Sequence, residues 1–141
     1  MNHELLRDDD GTLRDLITAT ASIAVLGASA TPDRAGYYVP AHMRAHGARV
    51  VGVNPALNVF LGQPAIASLA DLPHPVDMVL IFRRSELVPD HIPEILAMNP
   101  LPRVAWLQLG VRSPEAADAL TDAGVHVIQD RCLLVEHRRL A

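Results

Sequence analysis

The sequence predicts an α/β fold, a Rossmann-like three-layer arrangement in which a parallel sheet of about five strands carries helices on both faces. Three observations point there. Five short apolar runs recur along the chain: Ser22 to Leu26, Arg49 to Val53, Asp77 to Phe82, Val104 to Gln108 and His126 to Gln129. Most are apolar throughout instead of alternating, as strands covered on both faces require. Segments with helix-capping signals separate them, and the first run leads through a small-residue turn, Gly27-Ala28-Ser29, into the next helix.

Before the first strand, Thr12 to Ala21 carries Leu13, Leu16 and Ile17 at helical spacing and predicts an extra helix packed on the sheet. Arg34 to His46 predicts the next helix, with Gly47 as its C-cap. Residues 54 to 75 hold Pro55, Gly62, Pro64, Pro73 and Pro75 and form the longest irregular connection, with a short helix at Ser68 to Leu72. Ser85 to Met98 starts on a Ser85 N-cap, but Pro89 and Pro93 make that helix irregular. Ser113 to Ala123 has the clearest helical signals: Ser113 as N-cap, Pro114 in the first turn, Glu115 behind it and Gly124 past the end.

The 141 residues fit a single domain, with residues 1–11 expected to be disordered. No apolar stretch approaches the ~20 residues of a membrane span, and the start MNHELLRDDDG is acidic where a signal peptide is basic and then apolar. A cytoplasmic protein without membrane contact is expected, and the single cysteine, Cys132, agrees with a reducing compartment. All twelve basic residues are arginine. That excludes a P-loop lysine and Schiff-base chemistry, and the net charge of −4 argues against general binding of nucleic acid.

Ligands of open parallel sheets bind beyond the carboxyl ends of the strands. The residues there are unusual: Gly27-Ala28-Ser29, Asn54-Pro55, Arg83-Arg84-Ser85, Leu109-Gly110 and Asp130-Arg131-Cys132. Gly27 permits a sharp turn, Ser29 offers a hydroxyl, the following helix aims amides at the turn, and Arg34 adds formal charge, which together suit a phosphate. A plain strand-to-helix turn fits the same residues. The G-x-G-x-x-G spacing is absent, since Ser29 and Pro32 hold the other two positions. Nicotinamide proteins put Asp or Glu near the end of the second strand to hold the ribose; this chain has Asn54 and Pro55, which either admit a phosphorylated ribose or start a turn. Arg83 and Arg84 leave the sheet together, one suited to phosphate and the other to Glu86 or water, with Arg83 favoured for the ligand.

Seven motifs in order carry a family resemblance: GAS-x-x-PDR (27–34), VNP (53–55), LG (61–62), SLADLP-x-x-VD (68–77), FRRSE (82–86), WLQLGV (106–111) and DRC (130–132). Over about residues 15 to 140 the chain resembles the small bacterial CoA-binding proteins, which are similar to the first domain of the succinyl-CoA synthetase α subunit. The resemblance implies coenzyme A as cofactor, its pyrophosphate held by Gly27, Ala28, Ser29 and Arg34. It also implies Asn54 and Pro55 at the adenosine end, Phe82, Arg83 and Ser85 along the nucleotide crevice, and Gln108 and Gly110 beside the pantetheine. The phosphorylated histidine and ATP-binding partner of the larger ligases have no room in this chain.

No catalytic set stands out. Of the seven histidines only His42 and His46 share a helix face, and spacing names no third ligand, so no metal is expected. Cys132 is either a structural cysteine or a thiol able to form a mixed disulfide with CoA. The favoured reading is a non-catalytic module that binds, senses or carries CoA or an acyl-CoA, with a homodimer or another protein partner left open. An NAD(P)-dependent oxidoreductase on the same fold is the alternative.

Overall fold

Asp9 caps the first helix: its carboxylate accepts the Thr12 amide at 2.8 Å, and α1 (Asp10–Thr18) follows. The computed structural model describes residues 9–140. Because Asp9 supplies the cap, α1 starts two residues before the predicted Thr12, so residues 9–11 belong to the fold; the disorder expected for residues 1–8 lies outside the described residues. Leu13 and Ile17 bury the inner face of α1. The helix stops short of Ala21 because the amides of Ala21 and Ser22 turn to the Asp77 carboxylate, at 2.8 and 3.2 Å, tying the first strand to the lead-in of its neighbour.

The chain continues through β1 (Ser22–Leu26), α2 (Ala35–Ala45), β2 (Arg49–Val53), a hairpin of β3 (Val59–Phe60) and β4 (Gln63–Pro64), and β5 (Met78–Ile81). A 3-10 helix (Ser85–His91), α3 (Ile92–Leu96), β6 (Val104–Leu107), α4 (Pro114–Asp122), β7 (His126–Ile128) and α5 (Leu133–Leu140) complete it. Five strands form one parallel sheet in the order β2-β1-β5-β6-β7. The five apolar runs are these five strands.

Successive strand residues point to opposite faces, so each strand feeds two cores. Ile23, Val25, Met78, Leu80, Val104 and Trp106 pack with α1, α2 and α5. Ala24, Leu26, Val79, Ile81, Ala105 and Leu107 pack beneath the 3-10 helix, α3 and α4. Each buried aliphatic chain contributes about 1.5–3 kcal/mol, which explains why both faces of a central strand must be apolar. The Trp106 indole, fully buried, donates to the Arg131 carbonyl at 2.8 Å and so loses no hydrogen bond.

Three elements differ from the sequence reading. The connection 54–75 folds back as the β3-β4 hairpin, and Ile66 bridges Val53 in parallel, a one-residue strand outside β2. Phe60 docks that hairpin on β2, where a Cβ at Gly52 would stand 2.6 Å from the Phe60 side chain. Prolines 89 and 93 split the predicted Ser85 to Met98 helix into a 3-10 segment and a five-residue α3. Helix α5, which no capping residue announces, begins where the Gln108 side-chain oxygen accepts the Leu133 amide at 3.3 Å.

Candidate functional site

The strand order reverses at β1, whose following helix leads to β2 on one side while β5 lies on the other. The crevice at the carboxyl ends of β1 and β5 is where an open sheet binds ligands. An open cleft of about 690 Å³ lies there, lined by the 27–31 turn, Arg34 to Gly36, Asn54, Leu57 and Phe82.

Gly27 turns the chain at φ +79°, in the left-handed region. Its amide donates to the Val53 carbonyl at 3.1 Å, and Phe82 donates to Leu26 at 2.8 Å, so the turn hangs between β2 and β5. A Cβ at Gly27 would lie 2.5 Å from the Phe82 carbonyl oxygen. Gly36, in the first turn of α2, gives a second close approach: a Cβ there would stand 3.0 Å from the Gly27 oxygen. The dinucleotide fingerprint uses its last glycine for this close helix packing. Here it comes nine residues after Gly27, which is why a search at fixed G-x-G-x-x-G spacing passes over it.

Within the turn, the Ser29 hydroxyl accepts the Thr31 amide at 3.1 Å and can still donate, while the Ser29 amide donates to Gly36 at 3.3 Å. Ala28 is buried and offers only backbone; its carbonyl accepts the Asn54 side-chain amide at 2.9 Å. The other Asn54 atom accepts the Ala56 amide, also at 2.9 Å. Asn54 thus locks the end of β2 to the Gly27 turn. No side chain caps the α2 N-terminus, so its first amides and partial positive charge meet the cleft.

Arg34 and Arg83 are exposed, and neither guanidinium bonds another described residue. The Arg83 side chain passes Gly27, its Cδ 3.2 Å from where a Cβ would be. Arg84 is turned away, to Glu86 at 3.5 Å. Phe82, half-buried, forms the floor beside Gly27. Gly27, Ala28, Ser29, Arg34, Asn54 and Phe82 therefore share one cleft, and Arg83 flanks it.

Pro55 is exposed and stands apart from the cleft lining. Ser85, Gln108 and Gly110 sit at the exits of β5 and β6, outside that lining. Ser85 accepts the Arg112 amide at 3.0 Å and donates to the Gly110 carbonyl at 3.5 Å. Gln108 is buried and holds the start of α5. Asp130 accepts the Gly110 amide at 2.7 Å and Arg112 at 3.2 Å. The Gly110 hydrogen bond, with Arg112 behind it, keeps the Asp130 carboxyl below the usual carboxylate range despite its partial desolvation. Sequence reasoning gave Asp130 no role, because its partners Gly110 and Arg112 are twenty and eighteen residues away in the chain.

Comparison with known proteins gives the family and supports the fold. The sequence profile of the CoA binding domain matches residues 21–138. The uncharacterized protein YneT of Bacillus subtilis (strain 168) is 35% identical over 125 residues, covering 89% of this chain and 91% of that protein. Among solved structures, cell-free ID.343 from Thermus thermophilus is 45% identical with a TM-score of 0.90, over 95% of this chain and all of the other. A hypothetical protein from Pyrococcus horikoshii OT3 is 28% identical with a TM-score of 0.89, over 94% of this chain and 92% of that one. With the profile spanning the sheet, the Gly27 turn and all five parallel strands, the chain belongs to the CoA binding domain family.

Proposed function

We propose that this protein binds coenzyme A or an acyl-CoA at the Gly27 cleft as a non-catalytic binding, sensing or carrier module. The observation that carries the reading is the pair Arg34 and Arg83, two guanidiniums without partners among the described residues, flanking a glycine turn and an uncapped helix N-terminus. Coenzyme A offers a pyrophosphate and a 3′-phosphate, and such anions suit a fork of arginine donors with backbone amides. In this reading Gly27, Ala28, Ser29 and Arg34 hold the pyrophosphate, Phe82 and Arg83 border the nucleotide, and Asn54 fixes the turn. Pantetheine then runs over the β5 and β6 exits past Ser85, Gln108 and Gly110.

A ribose-binding carboxylate is missing from the end of β2, and both polar atoms of Asn54 are occupied by backbone, which disfavours NAD. Thermal unfolding with CoA, dephospho-CoA, acetyl-CoA, NAD and NADP tests the reading. At ~100 times its dissociation constant a ligand adds about 2.7 kcal/mol, a rise of several degrees at this chain length. CoA is expected to raise the midpoint, dephospho-CoA less, and NAD not at all. A rise with NADP alone, or with none of the five, contradicts the proposal.

A further inference from the structure

At the opposite end of α2 from the cleft, three histidines converge. His42 and His46 stand one turn apart on one face of α2, and α5 packs against that face and delivers His137. One ring nitrogen from each lies within 4.8 Å of the others. The ring centroids are 4.3, 4.8 and 4.9 Å apart. Sequence spacing offers only the first two; the docking of α5 on α2 supplies the third.

The tautomer of His46 is prepared for coordination, and the hydrogen bond between His42 and His137 is given up when both rings turn a lone pair to an ion. His46 Nδ1 lies 2.8 Å from the His42 carbonyl, which can only accept, so Nδ1 carries the proton and Nε2 keeps its lone pair. Metal-binding histidines are oriented in this way by a backbone carbonyl. His42 Nε2 and His137 Nδ1 are 2.9 Å apart, one donating to the other.

We propose that His42, His46 and His137 bind one divalent first-row transition ion of the zinc class, with water as the fourth ligand. Nitrogens around a tetrahedral zinc at ~2.0–2.1 Å stand about 3.3 Å apart, so small side-chain rotations close the observed triangle. An all-imidazole set offers no oxygen ligand to hard cations such as calcium and magnesium, and suits zinc, nickel or copper. A cavity of about 390 Å³, walled by His46, His137, Met43, Ile17 and Leu140, gives water its access. Three protein nitrogens and an open position are the coordination of ions that exchange ligands, and the ion would also clamp α5 to α2.

The test uses the full chain, freed of metal by a chelator and titrated calorimetrically with Zn²⁺ near neutral pH, with Co²⁺ as a spectroscopic probe. One ion per chain is expected, with the intense visible bands of four-coordinate cobalt. His46→Gln and His137→Gln should each weaken zinc binding more than about tenfold, while His74→Gln and Cys132→Ser leave it unchanged. His46 is exposed, so its variant retains the fold. Absence of saturable binding, or wild-type zinc affinity in His46→Gln and His137→Gln, would overturn the assignment.

Discussion

The carbonyl oxygen of Phe82 lies 2.5 Å from the position a Cβ on Gly27 would occupy. Gly27 also has φ +79°, so an alanine there meets both backbone strain and a collision with β5. Gly27→Ala is expected to lower stability by about 2 kcal/mol or more and to abolish CoA binding. Gly36→Ala, whose Cβ would stand 3.0 Å from the Gly27 oxygen, is expected to cost less and to weaken CoA binding partially. Urea unfolding and calorimetry of the two variants check this order; equal effects would contradict it.

Asn54 donates to Ala28 and accepts from Ala56, so its amide cannot be replaced by a carboxylate. Asn54→Asp sets an acceptor against the Ala28 carbonyl. A loss of about 1–3 kcal/mol is expected, without any gain of NAD binding. Denaturant midpoints and NAD titration measure both parts, and a stable variant that binds NAD would refute the positioning role given to Asn54.

Arg34 and Arg83 serve ligand and not fold in this account. Arg34→Ala and Arg83→Ala should each weaken CoA roughly tenfold or more, with melting of the free protein nearly unchanged. Arg84→Ala, which removes only an exposed pair with Glu86, should leave CoA affinity unaltered. Isothermal calorimetry separates the three.

Asp130 ties the loop after β6 to the end of β7 through Gly110 and Arg112. Its folded pKa lies below the value of about 3.9 in an unfolded chain, so this contribution is complete above about pH 4 and is lost as pH falls through the folded value. Asp130→Asn retains an acceptor for Gly110 and tolerates the φ of 57° at this position. It should lower stability near neutral pH by about 0.5–1.5 kcal/mol and flatten the decline below about pH 4. An unchanged acid slope would count against this role.

The sheet was legible because its strands are covered on both faces, and that burial writes itself as uninterrupted apolar runs such as Met78–Ile81. The Gly27 turn was legible because a strand that feeds a helix through small residues leaves a local signature. What escaped the sequence depends on distant partners. Helix α5 takes its first hydrogen bond from Gln108, twenty-five residues earlier, and the β3-β4 hairpin is held by the Phe60 ring on Gly52. Gly36 was hidden by a turn longer than the usual fingerprint. His137 meets His42 across ninety-five residues, a distance no local pattern spans.

Calorimetric titration of CoA into the wild-type chain and into an Arg34→Ala, Arg83→Ala double variant tests the central claim most directly. One CoA per chain is predicted for the wild type, with affinity reduced more than about a hundredfold in the variant while its unfolding midpoint stays in place. Wild-type protein that takes up no CoA, or a double variant that binds it as tightly, would contradict the assignment of the Gly27 cleft.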